Sequence, residues 1–205
     1  MSDRPTLWDF APVRDNLPLL VPPAALVGPD VPPAGETAFL HAEARPSDPE
    51  KAAAIIAVID HAIPFAHPLF TTDSGHSRFA SIWLMEAAAT ERRADIAFGR
   101  ELRGPDIDAM RVEGDPGAAY RACGLASPGR CMSMAHADSH GAAVAALAGG
   151  FRPIGDAGRQ FPLLGVSLPR SAMAETSGSL AAFFIQSALV FIIARARALA
   201  RLQTH

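Results

Sequence analysis

Ile55-Ile56-Ala57-Val58-Ile59 is an uninterrupted apolar run closed by an acid, Asp60. It is rich in β-branched residues and too short for a helix, so residues 52–60 are predicted to form a strand buried on both faces. Strands buried on both faces belong to parallel sheets covered by helices. In such sheets the side chains at strand C-termini converge on a ligand crevice. Asp60 stands at that kind of end. Pro64 and Pro68 then force a loop or a short helical turn.

The rest of the chain alternates in the same way. Residues 78–85 (Arg-Phe-Ala-Ser-Ile-Trp-Leu-Met) predict a second strand, and the Ala-, Glu- and Arg-rich stretch 86–103 predicts a helix. Gly, Pro and Asp in 104–132 predict a surface loop or insertion. From His140 to Leu147 no breaker follows Gly141, and the small side chains suit a helix packed close to a sheet. Gly149-Gly150 ends it. Residues 161–168 predict a third strand. Residues 179–202 predict the longest helix, with Thr176, Ser177 and Ser179 as N-cap candidates. Alternating strands and helices imply an α/β fold with a parallel sheet. Residues 1–50 are Pro-rich, with Val21-Pro22-Pro23 and Val31-Pro32-Pro33, and are expected to be an extended leader. The folded domain is expected over 51–205.

Composition narrows the function. The chain is 49% apolar and 19% charged, which argues against disorder over most of its length. A net charge of −3 gives no basic patch for nucleic acid or an anionic membrane. Two cysteines, Cys123 and Cys131, make neither a disulfide framework nor a zinc motif, and free thiols are expected. Residues 1–9 lack the basic and apolar regions of a secretory signal, so a cytoplasmic location is expected. Residues 180–194 are strongly apolar and are followed by Arg195, Arg197 and Arg201, the pattern of a membrane anchor. The run is shorter than the ~20 residues of a span and contains Gln186 and Ser187, which favours a helix buried in the fold. Left uncovered, the helix over 180–201 is expected to drive self-association.

Asp60 and His140 form the chemical constellation. A carboxylate at a strand end can accept the Nδ1–H of a histidine and fix its tautomer. A histidine at a helix start can then present Nε2 as a general base. The order aspartate then histidine is that of one of the known triad arrangements. Ile56-Ala57-Val58-Ile59-Asp60-His61-Ala62-Ile63, with His67-Pro68 after it, resembles the aspartate motif of the subtilisin-like serine peptidases: an apolar strand, Asp, Ser/Thr, Gly, Ile and a later His-Pro. His140-Gly141-Ala142-Ala143-Val144-Ala145-Ala146 resembles that family's His-Gly-Thr-x-Val-Ala-Gly. The resemblance covers residues 52–202. It implies the three-layer, parallel-sheet fold of the family, incomplete at the C-terminus, with Asp60 and His140 as catalytic residues and a peptide or protein as substrate. The departures are His61-Ala62 for Ser/Thr-Gly, Ala142 for Thr and Ala146 for Gly. The interval of 80 positions between Asp60 and His140 implies an insertion within 86–132.

The nucleophile is not legible. The family places its serine in a Gly-Thr-Ser-x-Ala-x-Pro segment and an oxyanion-hole asparagine before it. The single asparagine, Asn16, precedes Asp60. Thr176-Ser177-Gly178-Ser179 lacks the leading Gly and the Pro, and Ser177 reads as an N-cap or loop serine. The 205-residue chain alone is therefore expected to be inactive. No organic cofactor is implied. Calcium often accompanies the family, but no ligand cluster for it is visible. A metal alternative uses His136 and His140, four apart with Asp138 between, or His61 and His67 flanking Asp60. Ser139 and Gly141 start the helix at His140 and leave His136 in a loop, so no metal ligand is assigned. A non-catalytic scaffold of the same fold is the remaining alternative.

Overall fold

The computed structural model describes residues 55–90, 95–96, 98–125, 133–150, 161–174 and 179–203. The expected leader 1–50, Ser177, Thr176 and Cys131 lie outside the described residues. Among the described residues, four strands form one sheet: β1 (Ile56–His61), β2 (Phe79–Leu84), β3 (Arg100–Arg103) and β4 (Leu163–Leu168), in the order β1-β4-β2-β3. β4 pairs in parallel with both β1 and β2, and β3 runs antiparallel to β2. The helices of the described residues include α1 (Gly104–Met110), α2 (Ala118–Ala122), α3 (His140–Gly149), α4 (Arg170–Ala174) and α5 (Ser179–Gln203). This is a mixed α/β fold with a mostly parallel sheet, as the alternation implied.

Helices cover both faces of the sheet. Residues of one parity, Val58, Ile82, Leu84 and Leu163, pack with Ala145 of α3, Ile107 of α1 and Tyr120 of α2. Residues of the other parity, Trp83, Val166 and Leu168, pack with Ala188 and Phe191 of α5. Strand side chains point alternately to the two faces, so this partition follows from the backbone. β2 and β4 are buried at every position. Burial of each large apolar side chain among them contributes about 1.5–3 kcal/mol.

Three expectations are corrected. β1 is not buried on both faces: Ala57 is exposed and Ile56 and Ile59 are half-buried. The reason is its place at the edge of the sheet. Residues 86–103 are not a helix where described. Gly99 has φ +72°, and a Cβ there would meet the Leu84 carbonyl oxygen at 2.4 Å, so the chain turns at glycine and enters β3. Pairing with β2 overrides the helical propensity of the composition. The described part of 104–132 is not a surface loop: Ile107, Ala119, Tyr120 and Cys123 belong to the core. The Phe65 and Tyr120 rings meet edge to face at 5.0 Å.

α5 contains a stretch, Ala181–Leu199, long and apolar enough to cross a membrane by length and composition. Here it lies on the sheet, and its Arg195 reaches into the protein. The guanidinium Nε and NH2 donate to Glu101 on β3 at 2.7 Å each, and NH2 also pairs with Asp95. Ser81 on β2 donates to Glu101 as well.

α3 sits unusually close to β1. A Cβ on Gly141 would stand 2.1 Å from the His61 carbonyl oxygen. Only glycine permits this approach. Gly141→Ala is expected to lower stability by about 2–3 kcal/mol, because the clash is with backbone that cannot turn aside. Urea denaturation of the two proteins measures it.

Candidate active site

Asp60 is the fifth residue of β1, and its side chain points to the face that α3 covers. Ser139 caps α3, accepting from the Ala142 amide at 3.1 Å and donating to the Ala62 carbonyl at 2.7 Å. This side chain thus ties the helix start to the residue just past β1. His140, the first residue of α3, lands over the carboxylate. Its Nδ1 lies 3.0 Å from Asp60 Oδ1 and 2.9 Å from Oδ2. The two residues singled out from the sequence, 80 positions apart, are in direct contact.

A carboxylate only accepts, so the Nδ1 atom facing it carries the proton. The other ring nitrogen, Nε2, is then the basic one in the neutral ring. Asp60 is buried, while the His140 side chain is 67% exposed. The acid is thereby fixed and shielded, and the imidazole is open to an incoming group.

His61 is not among the catalytic residues expected from the sequence, yet it also contacts Asp60. It appeared as a departure from the Ser/Thr of the resembled motif and, with His67, as a histidine beside Asp60 in the metal alternative. Its backbone N–H donates to Asp60 Oδ1 at 2.7 Å, and its Nδ1 lies 3.1 Å from the same oxygen. Its ring stacks on that of His140, with centroids 5.8 Å apart and planes 12° apart. The signal available was its adjacency to Asp60 at a strand end. The pairings weighed from spacing are not formed in the way proposed: His136 lies in the turn before α3, off the helix. His67 caps a short turn, Pro68–Phe70, its Nδ1 accepting from the Leu69 amide.

Among the described residues, Asp60, His61 and His140 offer ligand atoms within 4.8 Å of one another. Two imidazoles and one carboxylate do not suit calcium, which takes six to eight oxygens. Cys123 is buried and in contact with Met110 Sδ, and burial raises its thiol pKa, so it is an inert core thiol.

Burial lowers the pKa of His67, and the nearby His136 lowers it further. The unfolded chain therefore binds a proton here more readily than the folded one. Stability is expected to be full above the ordinary histidine pKa of about 6.5 and to fall as pH drops through it. His67→Asn keeps an acceptor for the cap and removes the titration. Urea midpoints between about pH 5 and 8 should decline less steeply in that variant.

No protein-family model matches the chain, and no curated protein or solved structure matches it significantly.

Proposed function

We propose that this chain carries the acid–base half of a serine endopeptidase of the subtilisin type. The observation that carries the reading is the contact of Asp60 with His140 Nδ1 at 2.9 Å, made between a strand end and a helix start. Two backbone features support the resemblance beyond the residue types. Ala62 has φ +52°, a left-handed conformation, where the resembled motif has glycine. Such a conformation costs an L-residue about 1–2 kcal/mol, which explains why glycine suits that place. The close approach of α3 to β1 gives the glycine after the histidine a steric reason as well.

In this mechanism Asp60 holds the Nδ1 proton of His140 and stabilises the imidazolium that forms. His140 Nε2 removes the proton of a serine hydroxyl as that oxygen attacks the peptide carbonyl. The same Nε2–H then protonates the departing amine. The serine and the oxyanion donor are not assigned to residues of this sequence. Ser177 lacks the glycine and proline of the resembled motif.

An alkyl fluorophosphonate, which reacts with activated serines, tests the reading. The native gene product should be labelled on a serine, and His140→Ala should abolish the label. The purified 205-residue chain should not be labelled. Absence of label from the native gene product would withdraw the hydrolase assignment.

A further inference from the structure

We propose that Asp60, His61 and His140 also form a binding site for a zinc-like divalent transition metal, which excludes the acid–base function when occupied. The second half of this statement rests on the peptidase reading; the first does not. His61 Nδ1 and His140 Nδ1 converge on one oxygen, Asp60 Oδ1, at 3.1 and 3.0 Å. Ligands about 2.0–2.1 Å from a tetrahedral zinc ion stand roughly 3.3 Å apart. The observed separations of the carboxylate oxygen from each nitrogen need only a few tenths of an ångström of adjustment. Two imidazoles and a carboxylate, with a fourth position left open, make a donor set of the kind that zinc accepts.

Access and charge fit as well. The Asp60 side chain is 9% exposed and supplies a fixed negative charge, while His61 and His140 are 29% and 67% exposed and leave a path from solvent. The stack of the two rings holds them side by side. Ordinary hydrogen bonding of a catalytic aspartate needs one histidine here, and the second one is what makes a three-ligand set.

The exclusion follows from the atoms used. Metal binding takes the Nδ1 lone pair of each neutral ring, so each ring's single proton moves through solvent from Nδ1 to Nε2. His140 Nε2 then carries a hydrogen and cannot accept one from a hydroxyl. Occupation by metal and action as a base require opposite tautomers of the same ring.

Zinc chloride titrated into the purified chain against a chromogenic chelator tests the site directly. One equivalent should bind, and His61→Ala and His61→Phe should each weaken it at least about 100-fold. The phenylalanine keeps a ring stacked on His140 and so controls for folding. His67→Ala and His136→Ala should bind as the parent does. Failure to bind one equivalent would overturn the site, as would binding that survives both His61 variants or is lost with His67 or His136. The imidazole ¹⁵N spectrum separates this outcome from the peptidase reading. A zinc-free chain with His140 in the Nδ1–H form keeps the acid–base pair even if zinc does not bind. Zinc binding without that tautomer keeps the metal site alone.

Discussion

Replacing His140 with alanine is expected to lower peptide hydrolysis by the native gene product by about 10²–10⁴-fold, the usual contribution of a positioned general base. The loss should fall on kcat, because the imidazole moves a proton and does not hold the substrate. Asp60→Asn should lose activity as well. An amide can donate a hydrogen bond to Nδ1, which turns the ring to the wrong tautomer and leaves Nε2 protonated. A second His–Asp pair provides the control. His76 Nδ1 lies 3.1 Å from Asp108 Oδ2, but Asp108 also accepts from the Ser77 amide and from Arg111, each at 2.9 Å. That carboxylate ties a loop to α1, and His76→Ala should leave hydrolysis unchanged. Steady-state rates on a chromogenic peptide compare the four proteins. Equal losses from His76 and His140 would show that the effect is structural.

Arg195→Ala is expected to lower stability by about 3–5 kcal/mol, the cost of stranding a buried charge. Arg195 and Glu101 have side chains 5% and 0% exposed, so neither can turn to water. Burial opposes the charged guanidinium, and Glu101 and Asp95 more than offset it, raising the Arg195 pKa above its ordinary value. The alanine variant removes the two hydrogen bonds that Arg195 gives Glu101, while Ser81 still donates to it. Changing both partners, Arg195→Met with Glu101→Leu, should recover most of the loss, since a buried pair replaced by apolar groups is often neutral. Chemical denaturation of the single and double variants measures this coupling. An additive double variant would mean that the pair does not pin α5 to β3.

The residues brought together at Asp60 and His140 were legible because each signal is local. An apolar run closed by an acid marks a strand end, and Ser139-His140-Gly141 marks a helix start. β3 was not legible. Its four residues, Arg100–Arg103, are three charged residues and one leucine, and the covered Glu101 side chain is paired with Arg195 from 94 positions away. Nothing local to 100–103 encodes that partner. The core role of α1 and α2 was hidden by the glycines and aspartates around them, although Ile107 with Met110 and Ala119 with Cys123 show helical spacing. His61 was visible as a histidine beside the acid. Its convergence on the same oxygen as His140 depends on how closely α3 approaches β1, which is a tertiary property set at Gly141.

The position of one proton tests the central claim most directly. A ¹H–¹⁵N correlation spectrum of the uniformly ¹⁵N-labelled chain, recorded where the His140 ring is neutral, reports which nitrogen is protonated. The account predicts hydrogen on Nδ1 and a bare Nε2, with that preference lost in Asp60→Ala. A His140 ring protonated on Nε2 in the parent protein, or a preference unchanged by Asp60→Ala, would contradict it.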